Sequence, residues 1–242
     1  MIYGTRAVIE AIRGGKEIER IMIQSGLSND LIKELINTAK AHGVPYTFVP
    51  QEKLKRVSSK NHQGVICLLS AITYASLDNL IDSAWREGRE PFLLILDRVT
   101  DVRNFGAIAR TAESAGIDGV IIPDKGNAPI TADAMKTSAG ALNHLPVCRE
   151  KDLVKTVKML RDNGIRVFAC TEKGKTELYE AQLEGPIALI MGSEEDGISD
   201  ALLRQADELV NIPMKGRIGS LNVSVAAGIA LYEVVRRRSS VR

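Results

Sequence analysis

Three polar stretches in the second half of the chain hold the side chains best suited to chemistry. They are LDRVTDVRNFGAIARTAESAG from Leu96, LIMGSEEDGIS from Leu189 and NIPMKGRIGSLNVSVAAGIALYE from Asn211. In the first, Asn104 stands where a helix begins and Arg110 lies about one and two-thirds turns further on. Two readings stay open there: Asn104 caps the helix and Arg110 is surface charge, or Arg110 reaches over a sheet edge toward an anion. In the last, Ser220 and Asn222 flank Leu221 at the start of a long apolar helix. Capping explains one of them; both together, with Gly216 and Gly219 upstream, suggest a loop that also holds a ligand.

Other chemistries find less support. A phosphate loop ending at Gly174-Lys175-Thr176 would need its first glycine at position 169, which is Ala169. No Gly-x-Gly-x-x-Gly follows the first strand of either half, which argues against an ordinary NTPase or dinucleotide enzyme. His42, His62 and His144 share no ligand spacing with one another or with the cysteines. Glu194, Glu195 and Asp196 could attract a divalent cation, yet three acids on one tight turn without further ligands read as a solvated loop, so no metal is expected. Ser220 has no nucleophile elbow around it. Cys67, Cys148 and Cys170 are odd in number and each lies in or beside an apolar run, the pattern of buried thiols in a reducing compartment.

The polar stretches must be positioned by the elements that precede them. FLLILD (92–97) is an almost continuous apolar run of the kind buried on both faces of a sheet. Further strands are expected at 119–123, 166–170, 187–191 and 208–213. Helical patterns separate most of them, at 104–115, 132–138, 152–163, 199–206 and 221–238. Alternating strand and helix units of this kind predict an α/β fold with a parallel sheet covered on both sides. Ligands bind at the carboxyl ends of such strands, where all three polar stretches begin. The first third also alternates. A helix around Val8–Ile12 ends at Gly14-Gly15, and strands are expected at 18–24, 47–49 and 65–69. Asn29 caps a helix closed by Gly43, and Pro50 opens another.

A chain of 242 residues suits two unequal domains. We expect a small α/β domain over 1–73, a linker with a short helix over 74–90, and the larger domain over 91–242. Charge separates the same regions. The first carries ten Lys/Arg against six Asp/Glu, the second two against four, and the third twenty of each. The excess in the first domain clusters at Lys53, Lys55, Arg56 and Lys60, a modest basic patch that fits RNA or a merely solvated face. No apolar run approaches the ~20 residues needed to cross a bilayer. MIYGTRAVIEAIRGG carries Glu10 in an amphipathic pattern, unlike a signal peptide, so a cytoplasmic protein is expected.

At these residues the chain resembles the SpoU (TrmH-like) family of RNA 2′-O-ribose methyltransferases within the SPOUT superfamily. The family's first motif matches Asp101, Asn104, Gly106 and Arg110, and its second matches Gly192, Ser193, Glu194 and Gly197. Its third runs from Ile212 to Ser224, and TSAGAL (137–142) is also similar. YGTRAVIEAI and NHQGV (61–65) resemble the N-terminal RNA-binding domain of members that modify large-subunit ribosomal RNA, with a guanosine as the expected target. Two positions depart from the pattern: Val102 where proline is usual, and Glu195 where glycine is usual. The first loosens the loop; the second implies a negative φ there or mild strain.

The resemblance implies a C-terminal domain with a deep trefoil knot, S-adenosylmethionine as cofactor without a metal, and methyl transfer to a ribose 2′-hydroxyl. Ribosomal RNA is the first choice of substrate; the alternatives are transfer RNA as substrate, or a catalytically inactive RNA-binding or ribosome-assembly protein of the same fold. It implies cofactor contacts from Gly192, Ile212 and Leu221, with Thr171, Met191 and Met214 beside them. Arg110, Asn104, Glu194, Ser220 and Asn222 would serve catalysis. Arg6, Lys55, Arg56 and Lys60 would contact RNA. A homodimer through the C-terminal helix is also implied.

Overall fold

A computed structural model of the chain describes residues 1–239, which form two compact units. The first comprises Met1–Thr73 with Pro129–Ala132; the second comprises Tyr74–Ala128 and the residues from Asp133 onward.

The first unit runs β1 (Ile2–Tyr3), α1 (Thr5–Arg13), β2 (Ile18–Gln24), α2 (Asp30–Ala41), β3 (Tyr46–Val49), α3 (Gln51–Val57) and β4 (Val65–Leu69). Its sheet has the order β1-β4-β2-β3, with β2 and β3 parallel and the other pairs antiparallel. The period-two alternation of β2 sorts its side chains between two cores. Ile21 and Ile23 meet Val8, Ile9 and Ile12 of α1 and Ile32 and Leu35 of α2. Met22 joins Ile66 and Leu54 of α3 on the other face. Asn29 caps α2 as expected, its side chain accepting the Ile32 N–H at 2.9 Å.

The second unit begins with α4 (Leu77–Arg86), followed by β5 (Phe92–Asp97), α5 (Val102–Ser114), β6 (Gly119–Pro123), α6 (Ala132–Thr137) and β7 (Val147–Glu150). It continues through α7 (Leu153–Asp162), β8 (Arg166–Cys170), β9 (Thr176–Glu177), β10 (Ile187–Gly192), α8 (Asp200–Leu203), β11 (Glu208–Asn211) and α9 (Val223–Ser239). Seven strands form one sheet in the order β7-β6-β5-β10-β8-β11-β9, every pair parallel. All six residues of β5 and all six of β10 are buried. Leu93 and Ile95 of β5, with Ala188 and Ile190 of β10, face a core shared with α4, α7 and α8. The alternate residues face the opposite side, where α5 packs against α9 and α9 against β10. Each fully buried Leu or Ile contributes ~1.5–3 kcal/mol relative to exposure. An exposed ion pair contributes ~0–1 kcal/mol. The two central strands are therefore held by apolar burial and provide a stiff base for the loops at their ends.

Several expectations change. The segment 74–90, read as a linker with a short helix, carries the ten-residue α4, whose Leu77 and Ile81 belong to the second unit's core. Asn104 does not cap α5: Asp101 does, its carboxylate accepting the Arg103 and Asn104 N–H groups at 2.8 Å each. The helix expected over 199–206 shortens to α8, and β1, β7 and β9 had no clear sequence signal. Val102 sits in the first turn of α5, where the Asp101 cap supplies the order that a proline ring would give.

Candidate active site

β5, β10, β8 and β11 are neighbours in the sheet and run parallel, so their carboxyl ends share one edge. Gly192 at the end of β10 lies opposite Asp97 at the end of β5, and Val210 lies opposite Cys170. The loops leaving β8, β10 and β11 enclose a cavity of about 500 Å³. Thr171, Met191, Gly192, Ile212, Met214 and Leu221 all line it. These are the six positions expected to contact a cofactor.

Gly192 is required by a close approach of backbone. The loop after it turns back, with Ser193 and Gly197 exchanging N–H···O bonds at 3.2 and 3.1 Å. A Cβ at position 192 would stand 2.1 Å from the Gly197 carbonyl carbon and 2.3 Å from the Ile198 nitrogen. Gly197 completes the turn at φ +66°, while Glu195 is not among the residues with positive φ and carries no left-handed strain.

Asp97 and Arg98 fix this loop to the end of β5. Asp97 is buried and accepts the Ser199 N–H at 2.7 Å. Arg98 donates to Asp97 and Asp196 at 3.1 Å each and to the Gly197 carbonyl at 3.2 Å. Hydrogen bonding to Asp97 raises the Arg98 pKa, and the residue holds φ at +61°. The sequence pattern did not single out either residue. The signal available was a charged pair ending an apolar run, but their partners lie about 100 positions away.

Asn104, Glu194 and Asn222 meet at the rim. Asn222 Nδ2 donates to Asn104 Oδ1 at 3.0 Å and to Glu194 Oε1, which also accepts the Val223 N–H at 3.4 Å. Asn222 Oδ1 accepts the Ser224 N–H at 3.0 Å, and the Asn222 carbonyl accepts the Val225 and Ala226 N–H groups. Asn222 thus starts α9 and uses both amide hydrogens within the site. Among the described residues, Asn104 Nδ2 and Glu194 Oε2 have no hydrogen-bond partner. Ser220, Glu194 and Asn222 line the cavity. Gly106 brings α5 against the end of α6, since a Cβ there would stand 2.1 Å from Thr137 Oγ1. That hydroxyl donates to the Val102 carbonyl at 3.2 Å.

Arg110 is not drawn into the cavity wall. It is exposed on α5, and among the described residues its guanidinium has no hydrogen-bond or ion-pair partner. In the first unit Arg6, Lys55, Arg56 and Lys60 are all exposed. Lys55 and Arg56 occupy the last turn of α3, and Lys60 Nζ lies 5.7 Å from the Tyr3 ring centroid. Burial pushes the Cys67, Cys148 and Cys170 thiols up to about 12, so they are held protonated. Cys170 is partly accessible as a whole residue, and it borders the cavity. No group of three or more His, Cys, Asp or Glu able to hold a metal occurs among the described residues. No helix among them is long and apolar enough to cross a membrane.

Two family models match the chain. One, described as the SpoU rRNA Methylase family, covers residues 91–232; the other, described as RNA 2′-O ribose methyltransferase substrate binding, covers residues 1–75. A protein of Synechocystis sp. named as a tRNA/rRNA methyltransferase (slr0955) is 38% identical over 240 residues, or 98% of this chain, which spans 62% of that relative's length. YacO of Bacillus subtilis, assigned by name to the TrmH family of tRNA/rRNA methyltransferases, is 34% identical over 240 residues, with 99% of this chain and 96% of the relative covered. Among solved structures, the SpoU methyltransferase AviRb from Streptomyces viridochromogenes, in complex with the cofactor AdoMet, is similar at a TM-score of 0.62 and 26% identity, covering 99% of this chain and 90% of its own. An AdoMet-bound rRNA methyltransferase from Sinorhizobium meliloti is similar at a TM-score of 0.61 and 27% identity, covering 95% and 84%. The chain belongs to the SpoU rRNA methylase family.

Proposed function

We propose that this chain transfers a methyl group from S-adenosylmethionine to a ribose 2′-hydroxyl of RNA, with a guanosine of large-subunit ribosomal RNA as the first candidate. The observation that carries the reading is Asn222, which ties Asn104 and Glu194 together at the mouth of a cavity lined by all six expected cofactor contacts. The family match and the cofactor-bound relatives support the choice of cofactor. So does the fit. A cavity of about 500 Å³ lies in the range of small-molecule sites, and its walls combine apolar Ile212, Leu221 and Met191 with backbone at Gly192. When bound, S-adenosylmethionine supplies an electrophilic methyl group on a positively charged sulfur.

The residues would divide the remaining work. Asn222, with its amide hydrogens spent on Asn104 and Glu194, is a positioning residue. Asn104 Nδ2 and Glu194 Oε2 stay available to orient the ribose, with Ser220 beside them. Holding a hydroxyl in line for attack supplies ~7–11 kcal/mol in favourable cases. A guanidinium is a poor proton acceptor, so we assign Arg110 to the adjacent phosphate and to the developing alkoxide, not to proton removal. The proton then leaves to phosphate or water.

The match of residues 1–75 to a substrate-binding family model supports RNA capture by the first unit, with Arg6, Lys55, Arg56 and Lys60 on backbone phosphates. We further assign this chain to the cytoplasm, to a homodimer and to the knotted topology. Val225 and Tyr232, each half exposed, and Ile229 recur at helical spacing along α9 and support pairing of two copies there. The test is mapping of 2′-O-methylation across all stable RNAs in cells with and without the gene, repeated with Arg110→Ala and Arg110→Lys. A lost ribosomal mark that Arg110→Ala fails to restore supports the reading. A lost transfer RNA mark moves the substrate, and an unchanged methylation map overturns the activity.

A further inference from the structure

The cavity walls carry unbalanced charge. Glu172, Glu194, Glu195 and Asp196 line the cavity, and among the described residues no Lys, Arg or His does. Among the described residues only Asp196 pairs with a cation, Arg98 at 3.1 Å. Glu194 is held by neutral donors, Asn222 Nδ2 and the Val223 N–H. Glu172 accepts from the Thr171 hydroxyl at 3.3 Å. Glu195 is exposed, and among the described residues it has neither a hydrogen bond nor an ion pair. Nearby cations pair elsewhere or lie off the walls. Lys173 pairs with Asp200 at 3.6 Å, and Lys215 and Arg217 stand outside the walls. Among the described residues, three carboxylates that border the cavity therefore lack a cation partner, and all three residues are exposed.

The donor proposed above changes charge when it is used. Its sulfur is a sulfonium before transfer and a neutral thioether afterwards, while its amino, carboxylate and adenosine parts stay the same. Two ligands of nearly one shape therefore differ by a single positive charge. A negatively lined cavity attracts that charge, because Coulomb attraction within about one Debye length (~8–10 Å) is only partly screened.

We propose that this cavity selects by charge, holding the sulfonium donor in preference to the spent thioether, and that Glu195 is a specificity-determining residue for that choice. The inference rests on the reading of the cavity as the cofactor site. Glu195 is the informative position because, among the described residues, it has no partner to lose. Glu194 belongs to the network with Asn222, and Asp196 anchors Arg98. The consequence is functional: the product leaves a site that attracts it less than it attracts the next donor molecule.

Calorimetric titration of the whole chain with S-adenosylmethionine and, separately, with S-adenosylhomocysteine tests this. The wild type is expected to bind the sulfonium more tightly, with a ratio that contracts toward one at high salt. Glu195→Gln should weaken sulfonium binding about two- to fourfold at low ionic strength while leaving thioether binding unchanged. Glu172→Gln should act in the same direction. Equal losses for both ligands would mark Glu195 as structural and overturn the proposal. So would a wild-type ratio indifferent to salt and to both substitutions. Binding of neither ligand by the wild type would overturn the cofactor reading itself and this inference with it.

Discussion

Asn222 Nδ2 donates to Asn104 Oδ1 at 3.0 Å across 118 positions of sequence. The same amide reaches Glu194, so the starts of α5 and α9 and the loop after β10 are joined by one side chain. A second duty falls on it, since Asn222 Oδ1 accepts the Ser224 N–H at the start of α9.

Asn222→Ala should therefore separate two effects. Loss of the cap lowers stability by ~1 kcal/mol. Loss of the bridge to Asn104 and Glu194 should lower kcat on the order of 10²-fold through misplacement, with the cofactor Kd within a few-fold of wild type. Asn222→Ser restores the cap but not the bridge, so it should recover the melting temperature and leave turnover low. Recovery of both would show that only the helix start mattered.

Gly192→Ala drives a methyl group into the backbone of the returning loop, 2.1 Å from Gly197. Overpacking of this kind costs ~1–3 kcal/mol, and the loop must shift to admit it. The displaced loop lines the cavity, so cofactor affinity should fall on the order of tenfold, the equivalent of ~1.4 kcal/mol of binding. Calorimetry and a melting curve on the same sample check both numbers.

Glu233 gives the fold a dependence on acid. It is buried on α9, and its carboxylate accepts from Arg236 at 2.7 and 2.8 Å and from Arg237 at 3.0 Å. Hydrogen bonding to Arg236 holds its carboxyl below the usual carboxylate range. A group depressed in the folded state stabilises the fold above its unfolded pKa and loses that contribution as pH falls through the folded value. The wild-type melting temperature should thus drop on acidification through and below the ordinary carboxylate range. Glu233→Gln should melt about 2–4 °C lower at neutral pH and show a flatter acid limb. Parallel acid limbs for the two proteins would contradict this.

For the first unit, Lys60→Ala should weaken RNA binding and reduce the slope of log K against log salt by about 1. Arg56→Ala should do the same, because both side chains are exposed and available to phosphate. Melting temperatures should stay within about 1–2 °C, as surface substitutions seldom change stability by more than ~0.5 kcal/mol. Fluorescence anisotropy over a salt series measures the slope.

The central strands were legible because burial on both faces demands an uninterrupted apolar run, and Phe92–Asp97 and Ile187–Gly192 supply one. The start of α5 was harder. Asp101 and Asn104 are both cap formers three residues apart, and the apolar spacing of Phe105, Ile108 and Ala112 fits either start. The Asp101 carboxylate decides it by accepting two N–H groups. α4 was underrated because Asp78, Asp82 and Glu87 lend the segment an acidic character that hides buried Leu77, Ile81 and Ala84. α8 stops early, and Asp207 beyond it turns in to accept the Val167 N–H at 2.8 Å and pair with Arg161 at 2.7 Å. The six cavity positions and the Asn104–Glu194–Asn222 group could be named from motifs. Asp97 and Arg98 could not, because what makes them matter is a tertiary meeting with Ser199, Asp196 and Gly197.

The cavity draws its walls from stretches near 171, 192 and 212–222, so it comes into being only once the latest of these has docked. A copy cut short before Ile212 would lack one wall of the cavity and the helix α9 that packs on α5 and β10. Incomplete copies made during interrupted synthesis are therefore silent instead of half-competent. They can neither sequester a small molecule from the cell nor leave a stray mark on a transcript.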